Sequence, residues 1–390
     1  MRRTSIIALS LAFLLTGCAP NFQKQEEVVQ EQDDSKENAI IPNYKISDQY
    51  YRTILPFKPG EARGLVVNNI NTRYDLNEFE TGLMRVAQNS FDPDKFFFQE
   101  GQYLKRDMVS KWLSRKYTAA QLKEKNLEEE DNLGLNPVDD GKGDIKSREE
   151  RNPIYLAHIL EHNYLLKNED GKAYLGGVVI GLALNSVHYY RTVEYGDVFE
   201  KKIDHATLEK EGKQIADQVL SRLRSMDELK NVPITIALFE QESNKSVVPG
   251  TFFAYAQADK GSSKLGGWEN VDEEYVLFPS PGATEDHRED VTSFLNFKQD
   301  VEKYFPNFNG VIGKAFYAQD QLQELNIEIP IQFYGKAEGI GFTQYVTGLV
   351  MKHFPDYISV QVSVTSVNGP EALIVRKAGD QEPFVHIYQQ

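Results

Sequence analysis

The chain has one cysteine in 390 residues, and this cysteine stands near the N-terminus, at position 18. A single cysteine allows neither an internal disulfide nor a cysteine-based metal site. The stability of the fold must therefore come from a packed core. The chain has the means for such a core, since 41% of its residues are hydrophobic, including 20 tyrosines and 22 phenylalanines among its aromatic residues. Its length predicts two domains or one large one.

The residues before Cys18 have the order of an export signal. Arg2 and Arg3 form a short positive region, and an apolar run follows over Ile6–Leu15. A charged start, a short apolar stretch and small residues at the end are typical of a cleavable secretory signal. The apolar run is about half as long as the roughly 20 residues that a stable transmembrane helix needs. The sequence therefore predicts a signal peptide over residues 1–17.

The segment Leu15-Thr16-Gly17-Cys18 resembles the lipobox of bacterial lipoproteins. The resemblance implies cleavage between Gly17 and Cys18 and a diacylglyceryl group on the cysteine sulfur, added and processed by the lipoprotein enzymes. Each buried methylene of an acyl chain contributes about 0.8 kcal/mol, so two or three chains hold a protein firmly at a membrane. We therefore expect a lipid-anchored protein at the outer face of the cell membrane.

The chain is acidic, with a net charge of −15. An acidic surface disfavours nucleic acid as a partner. Residues 18–49 are rich in Gln, Glu, Asp, Asn and Lys and poor in aromatic residues. A segment of this composition buries too little apolar surface to fold. We predict a disordered tether there, between the lipid on Cys18 and the folded part.

Strand-like and helix-like segments alternate after residue 50. We predict an N-terminal α+β part over residues 50–170 and two further units over residues 171–285 and 286–390. Each of these two units begins with a glycine-rich strand, at 176–187 and 310–316, and continues with a helix and two strands. The predicted fold class is α+β, with helices packed on mixed or antiparallel sheets. We also predict an internal β–α–β–β duplication in the C-terminal two-thirds.

The segment His158-Ile-Leu-Glu161-His162 is the sharpest candidate for catalysis. We predict a helix over residues 153–166, because Pro153 suits the first turn of a helix. On a helix, the H-x-x-E-H pattern places two imidazoles one turn apart, where they can share a zinc ion beside a carboxylate. An exported zinc hydrolase is therefore one alternative. The other reading, which we favour, is a surface helix on which two histidines happen to lie four residues apart.

Two further segments resemble ligand loops only in part. Gly335–Gly341 lies between a predicted strand and a predicted helix, but it lacks the Gly-Lys-Ser/Thr ending of a phosphate loop. Asp139–Asp144 is acidic, but no register supplies the alternating ligands and final glutamate of a calcium loop. Turn glycines and a solvated loop account for these segments. We expect no cofactor and no catalytic residue.

Three segments resemble the CamS family, the sex-pheromone precursor lipoproteins of Gram-positive bacteria. They are Ile54–Leu65, Asn152–Tyr164 and Gly176–Leu184. The resemblance implies two products. The end of the signal peptide, about residues 11–17, would be released as a short apolar pheromone, and the mature lipoprotein would stay on the surface. Because the resemblance brings no catalytic residues, we expect the mature part to be a non-enzymatic module for an extracellular partner or ligand.

Overall fold

The computed structural model describes residues 26–32, 35–42, 44–47, 50–65, 69–304, 310–333 and 335–389. The predicted signal peptide and lipidation site, with Gly17 and Cys18, lie outside these ranges. Within them, helices pack on two large sheets, one of nine strands and one of six, and a two-stranded ribbon accompanies them. The predicted α+β class is confirmed. No helix in the described ranges is long and apolar enough to cross a membrane.

The helices and strands have the following bounds. The helices are α1 (Arg73–Ala87), α2 (Arg106–Leu113), α3 (Ala119–Lys125), α4 (Ile145–Arg151), α5 (His205–Leu223), α6 (Pro281–Asp286), α7 (Arg288–Tyr304) and α8 (Lys336–His353). The strands of the first sheet are β1 (Glu26–Gln32), β2 (Ser35–Ile41), β3 (Arg52–Thr53), β4 (Phe97–Glu100), β5 (Leu156–Lys167), β6 (Lys172–Asn185), β9 (Ile234–Gln241), β10 (Thr251–Ala258) and β11 (Glu269–Asn270). The ribbon consists of β7 (Val187–Arg191) and β8 (Val198–Lys202), and the second sheet of β12 (Glu273–Phe278), β13 (Ile312–Ala318), β14 (Gln321–Pro330), β15 (Ser359–Ser366), β16 (Gly369–Arg376) and β17 (Phe384–Ile387).

The first sheet lies between two helical layers. Its strand order is β11-β10-β9-β6-β5-β4-β3, and the β1–β2 hairpin joins it along β6. Helix α1 covers one face, where Phe79 and Leu83 pack against residues of β6 and β9. Helices α2 and α5 cover the other face, where Val109 and Ile215 belong to a second core cluster. The central strands β6 and β9 are therefore buried on both sides, and apolar residues and glycines occupy most of their positions.

The second sheet has the order β12-β13-β14-β15-β16-β17. Helices α7 and α8 cover one of its faces, where Phe294 and Phe342 pack with alternate residues of β14 and β15. Polar residues of these strands, such as Glu328 and Gln361, occupy the intervening positions. This alternation is typical of a sheet with one buried face.

Both sheets follow the same connection order. In the first sheet, β5 and β6 are antiparallel, α5 follows, and β9 and β10 return with β9 parallel to β6. In the second, β13 and β14 are antiparallel, α8 follows, and β15 and β16 return with β15 parallel to β14. The second crossover thus begins at β14 and not at the glycine-rich segment 310–316. The internal duplication and the division at residues 170 and 285 stay predictions.

Two segments differ from the sequence-based expectation. The helix predicted over residues 153–166 is wrong, because these residues contain the twelve-residue strand β5. Strands β1 and β2 lie in the segment for which we predicted a disordered tether, and they pair with each other from Glu26–Ile41 to Gln32–Ser35. Val29 and Gln30 of β1 also pair with β6, which ties this hairpin to the first sheet.

Candidate functional site

The three residues of the H-x-x-E-H pattern lie on strand β5, and the strand separates them. Alternate residues of a strand face opposite sides of a sheet. The His158 ring therefore lies on the α1 side, 6.3 Å from the Phe79 ring, and the His162 ring lies on the same side, 4.9 Å from the Phe98 ring. Glu161 lies on the opposite side. Four residues of a strand span about 13 Å.

This separation does not suit a shared zinc ion. Side chains of a strand stand roughly perpendicular to the sheet, so two rings whose backbone positions lie about 13 Å apart do not converge on one ion, which needs both nitrogens at about 2 Å. The residues of the described ranges include no group of three or more His, Cys, Asp or Glu side chains that could hold a metal. The two zinc candidates, His158 and His162, are thus not brought together by the fold.

The Glu161 carboxylate is bound by the backbone before α2. Its oxygens accept hydrogen bonds from the N–H groups of Gln102, Tyr103 and Leu104, over 2.6–3.2 Å. Complete burial raises the pKa of Glu161 to about 7, while the N–H donors favour the carboxylate and oppose this rise. Consecutive N–H groups that converge on an anion form a nest. Here the protein's own side chain fills the nest, so Glu161 fixes the turn before α2 and is not placed as a catalytic base.

The two histidines are buried and neutral. Burial lowers the pKa of His158 to about 4 and the pKa of His162 to about 3, because the imidazolium ion loses its hydration. The Nδ1 atom of each ring has no hydrogen-bond partner among the described residues. An unpaired buried polar atom costs about 1–3 kcal/mol. Each histidine therefore has an unpaired, uncharged nitrogen that is itself buried.

A cavity of about 260 Å³ lies against these histidines. Strand β5 forms its floor, helix α1 forms one wall, and the loop of residues 57–64 forms the opposite wall. Most of its lining side chains are apolar, while Arg63, Glu80 and Glu100 are the charged residues that line it alongside Glu161. Burial raises the pKa of Glu80, and the nearby Glu100 adds to this rise. The complete lining is Phe57, Gly60, Ala62, Arg63, Gly64, Glu80, Met84, Phe98, Glu100, Gly101, Leu104 and His158–His162.

The cavity lies where β5 loses its neighbouring strand. Strand β4 ends next to Glu161, whose carbonyl accepts a hydrogen bond from the Gly101 N–H at 3.0 Å. Further along β5, the Asn136 side chain takes the place of a strand. It accepts from the Leu156 N–H at 2.8 Å and donates to the Leu156 carbonyl at 2.9 Å. Between these two points, the alternation of an antiparallel ladder directs the N–H and C=O of Ile159 away from β6, and Ile159 is buried, with 1% of its surface exposed.

The other two candidate loops serve the fold. Gly335 is the N-cap of α8, and Lys336 lies 3.7 Å from Glu371. In the acidic loop, the Asp140 carboxylate pairs with Arg151 at 2.9 Å, and Asp144 accepts from the Ser147 N–H and so caps α4. These contacts agree with the turn and the solvated loop that we preferred for both segments.

Sequence reasoning missed this cavity. Its floor and one wall come from the segments 152–164 and 54–65, two of the three that carry the family resemblance, and α1 supplies the other wall. Neither segment contains a ligand motif. The cavity forms because the two segments lie side by side in the folded sheet. The sequence does not show this, since they are about 100 residues apart in the chain.

Comparison with known proteins identifies the family. A family model described as CamS sex pheromone cAM373 precursor matches residues 57–382. The structure of the C-terminal domain of the sex pheromone staph-cAM373 precursor from Staphylococcus aureus is 35% identical, with a TM-score of 0.72, over 83% of this chain and 99% of that one. The structure of a sex pheromone precursor from Lactobacillus salivarius is 31% identical, with a TM-score of 0.79, over 89% of this chain and 98% of that one. Comparison with curated proteins gives no match. The chain therefore belongs to the CamS sex pheromone cAM373 precursor family.

Proposed function

We propose that this chain is a lipid-anchored surface protein whose folded part is a non-enzymatic binding module. The observation that carries the proposal is the cavity beside β5. Ligand sites are typically apolar clefts with a few convergent polar groups. The cavity fits this description, since apolar side chains from β5, α1 and the loop of residues 57–64 line it together with a few charged groups. Glu161, the carboxylate that a hydrolase would need, is engaged by three N–H groups instead.

The anchoring part of the proposal concerns the N-terminus. The order of charge, apolar run and Leu15-Thr16-Gly17-Cys18 supports cleavage before Cys18 and lipid on its sulfur. Membership of a sex pheromone precursor family supports the release of a short apolar peptide of about residues 11–17. One chain then yields a peptide and a surface protein that partitions to the outer face of the membrane by its acyl chains.

Labelling with radioactive palmitate tests the anchor. The wild-type chain takes up the label and fractionates with the membrane, whereas Cys18→Ser takes up none. Ser10→Ala, in the apolar run but outside the lipobox, serves as the matched control and keeps the label. Equal labelling of Cys18→Ser and wild type would refute the anchor. Mass spectrometry of the culture medium tests the peptide, and a medium without fragments of residues 11–17 would refute its release.

Indole tests whether the cavity binds ligands at all. It is small and apolar, so an accessible cavity with a largely apolar lining accepts it. Saturation-transfer NMR should show binding to the wild-type protein. Met84→Trp, which fills the cavity from the α1 wall, should abolish the signal. Met351→Trp, at a 47% exposed position on α8, should keep it. Wild-type protein that gives no signal, or Met84→Trp that gives a full one, contradicts the binding function.

A further inference from the structure

We propose that the contact between the two sheets is a proton-sensitive latch, which closes as the pH falls and loosens as the pH rises. The latch consists of Glu78 and Arg85 on α1, which packs on the first sheet, and of Glu273 and Tyr275 on β12, the edge strand of the second sheet. This inference concerns the two sheets and does not depend on the cavity beside β5.

The two sheets have separate cores. The buried apolar residues of the second sheet and its helices form one cluster, which shares no member with the clusters of the first sheet among the described residues. The contacts from α1 to the second sheet include two between a cation and an aromatic ring. The Arg85 guanidinium lies 4.7 Å from the centre of the Phe316 ring, and the Lys314 ammonium lies 4.4 Å from the centre of the Tyr74 ring. Because separate cores meet here through charged groups, the two sides can move relative to each other.

Two carboxylates share one guanidinium in the latch. The Arg85 Nε and Nη2 atoms each donate to Glu273 at 2.7 Å, and Nη2 also donates to Glu78. The Tyr275 hydroxyl donates to the other Glu78 oxygen at 2.7 Å. The Glu78 and Glu273 side chains are only 6% and 10% exposed. When both carboxylates are ionised, one negative charge stays uncompensated in a place with little water, which is costly. A single proton removes this charge.

The surroundings of the latch add further negative charge. The Asp75 carboxylate, one turn before Glu78 on α1, is completely buried and accepts hydrogen bonds from the N–H groups of Glu242 and Gly250. From β10, the uncharged Phe252 packs at this point of α1. The ionisable groups around Glu78 are Asp75 and Arg85 of α1, Glu240 of β9, Glu242 of the following loop, Glu273 and Tyr275 of β12, Lys314 of β13 and Glu324 of β14. Carboxylates outnumber the two cations in this set, so the surroundings favour the uptake of a proton.

The pKa of Glu78 gives the direction of the effect. Burial raises this pKa and the nearby Glu273 adds to the rise, while Arg85 and the Tyr275 hydrogen bond oppose it. In an open latch, water reaches Glu78 and its pKa returns toward the ordinary value of 4.5. The closed latch therefore binds the proton more tightly, gains stability as the pH falls through the raised pKa and loses it as the pH rises. Below pH 4.5 the carboxyl is protonated in both forms, and the balance no longer changes.

The latch also forms one wall of a cleft of about 760 Å³ between the sheets. Glu273 and Tyr275 line this cleft from β12, and His205, Glu240 and Phe253 line it from α5 and the first sheet. When the latch loosens, β12 moves away from α1 and the cleft widens. The pH thus controls how far this cleft is open.

Distances between two spin labels test the latch. In a Cys18→Ser background, Ser221→Cys on α5 and Met351→Cys on α8 place one label at an exposed position beside each sheet. Double electron–electron resonance on the full chain at pH 5, 7 and 9 gives the distribution of distances. We expect one narrow distribution at pH 5 and a second component that grows toward pH 9. For a single proton, the ratio of open to closed latch rises by at most about tenfold per pH unit.

Two variants of the latch remove the titrating charge. Glu78→Gln keeps the acceptor for Tyr275 but carries no charge, so its distribution should be the closed one at all three pH values. Glu273→Gln leaves Arg85 with one carboxylate and should remove most of the pH dependence, which provides the test if Glu78→Gln does not fold. Glu169→Gln, in the exposed turn after β5, should respond like the wild type. Wild-type distances that do not change with pH, or that change equally in Glu78→Gln, would overturn the latch.

Discussion

At the scale of single residues, strand β5 carries three buried ionisable side chains that lie in two different kinds of surroundings. His158 and His162 are kept neutral by an apolar surrounding. Glu161 is surrounded by backbone N–H groups that take the place of water. Desolvation acts on all three, but only the carboxylate receives compensating hydrogen bonds. As the pH falls, the folded protein therefore binds a proton at Glu161, whose pKa is about 7, before it binds one at either histidine.

The histidines predict a loss of stability in mild acid. Their pKa values fall from 6.5 to about 4 and about 3 on folding, so the unfolded chain takes up protons first as the pH falls. Above pH 6.5 the histidines are neutral in both states, so burying them carries no protonation cost. Below pH 6.5 this cost rises, because the unfolded chain is protonated at the histidines and the folded chain is not. Between pH 6 and pH 5 the free energy of unfolding should fall by about 1.2 kcal/mol for each histidine. Urea unfolding at both pH values measures this fall.

The double variant His158→Gln/His162→Gln isolates this effect. Asp75, Glu78 and Glu161 have pKa values that are raised in the folded state by burial, so they act in the opposite direction. These carboxyls are present in both proteins, and their contribution cancels in the comparison. The variant should show the shallower fall between pH 6 and pH 5. Parallel pH profiles for the two proteins would show that the histidines do not titrate as described.

Glu161→Gln should destabilise the fold without a gain or loss of catalysis. A glutamine keeps one acceptor oxygen but turns an N–H₂ group toward N–H donors. Leaving such donors unpaired costs about 1–3 kcal/mol, and more where the lost acceptor was charged. Urea unfolding measures the difference, and Glu169→Gln, in the exposed turn after β5, is the matched control. A variant as stable as this control would mean that the nest does not depend on the carboxylate.

At the scale of elements, β5 shows how far the sequence can be read. Helices α3 and α5 were predictable, because their apolar residues recur at helical spacing among polar ones. Strand β5 was not, because nine of its twelve residues are buried, on both faces of the sheet, and its polar residues do not alternate with apolar ones. A short run that is apolar on both faces is ambiguous between a buried strand and a buried helix. Pro153 before it then favoured the wrong element.

The candidate site was less accessible to sequence reasoning than the fold class. The H-x-x-E-H pattern drew attention to the correct strand for the wrong reason, since its meaning depends on helical spacing. The parts that define the cavity are the end of β4 at Glu100 and the side chain of Asn136, which closes the edge of β5 at Leu156. Neither part has a local signature. Both depend on which strands become neighbours, which the order of apolar segments alone does not specify.

The glycines of β6 give a prediction at this scale. A Cβ atom at Gly177 would overlap the Phe91 ring, so the strand is glycine-rich here because aromatic rings pack directly on its backbone. Gly177→Ala should lower the free energy of unfolding by about 1–3 kcal/mol, as overpacking of a core does. Gly267→Ala, where a Cβ meets nothing within 4 Å, should leave it unchanged. Equal unfolding midpoints for the two variants in urea would contradict this account of β6.

At the scale of the whole molecule, an ion-pair network links the two sheets. The Arg85 guanidinium, on α1, binds Glu78 of the same helix and lies 2.7 Å from Glu273 of β12. The Tyr275 hydroxyl, also on β12, donates to Glu78 at 2.7 Å. The Glu78 side chain is only 6% exposed. Burial raises the pKa of Glu78, and the nearby Arg85 counteracts this rise. The arginine therefore stabilises the buried Glu78 carboxylate between the two sheets.

Arg85→Met should therefore weaken the connection between the sheets. Removing one partner of a buried pair costs about 3–5 kcal/mol, and we expect the lower end because 32% of the Arg85 side chain is exposed. Lys213→Met, which breaks the more exposed Lys213–Glu209 pair on α5, should cost less than about 1 kcal/mol. Urea unfolding followed by circular dichroism measures both. A loss in Arg85→Met no larger than in the control would show that the network contributes little.

The two tryptophans make the connection itself observable. Trp112 belongs to the core of the first sheet and Trp268 packs against that core, whereas circular dichroism reports on both sheets. In the wild type, the fluorescence and dichroism transitions should coincide, because the buried network couples the sheets into one cooperative unit. In Arg85→Met they should separate, since the cost of parting the sheets falls while each keeps its own core. Coincident transitions in the variant would place the coupling in the apolar contacts between the sheets instead.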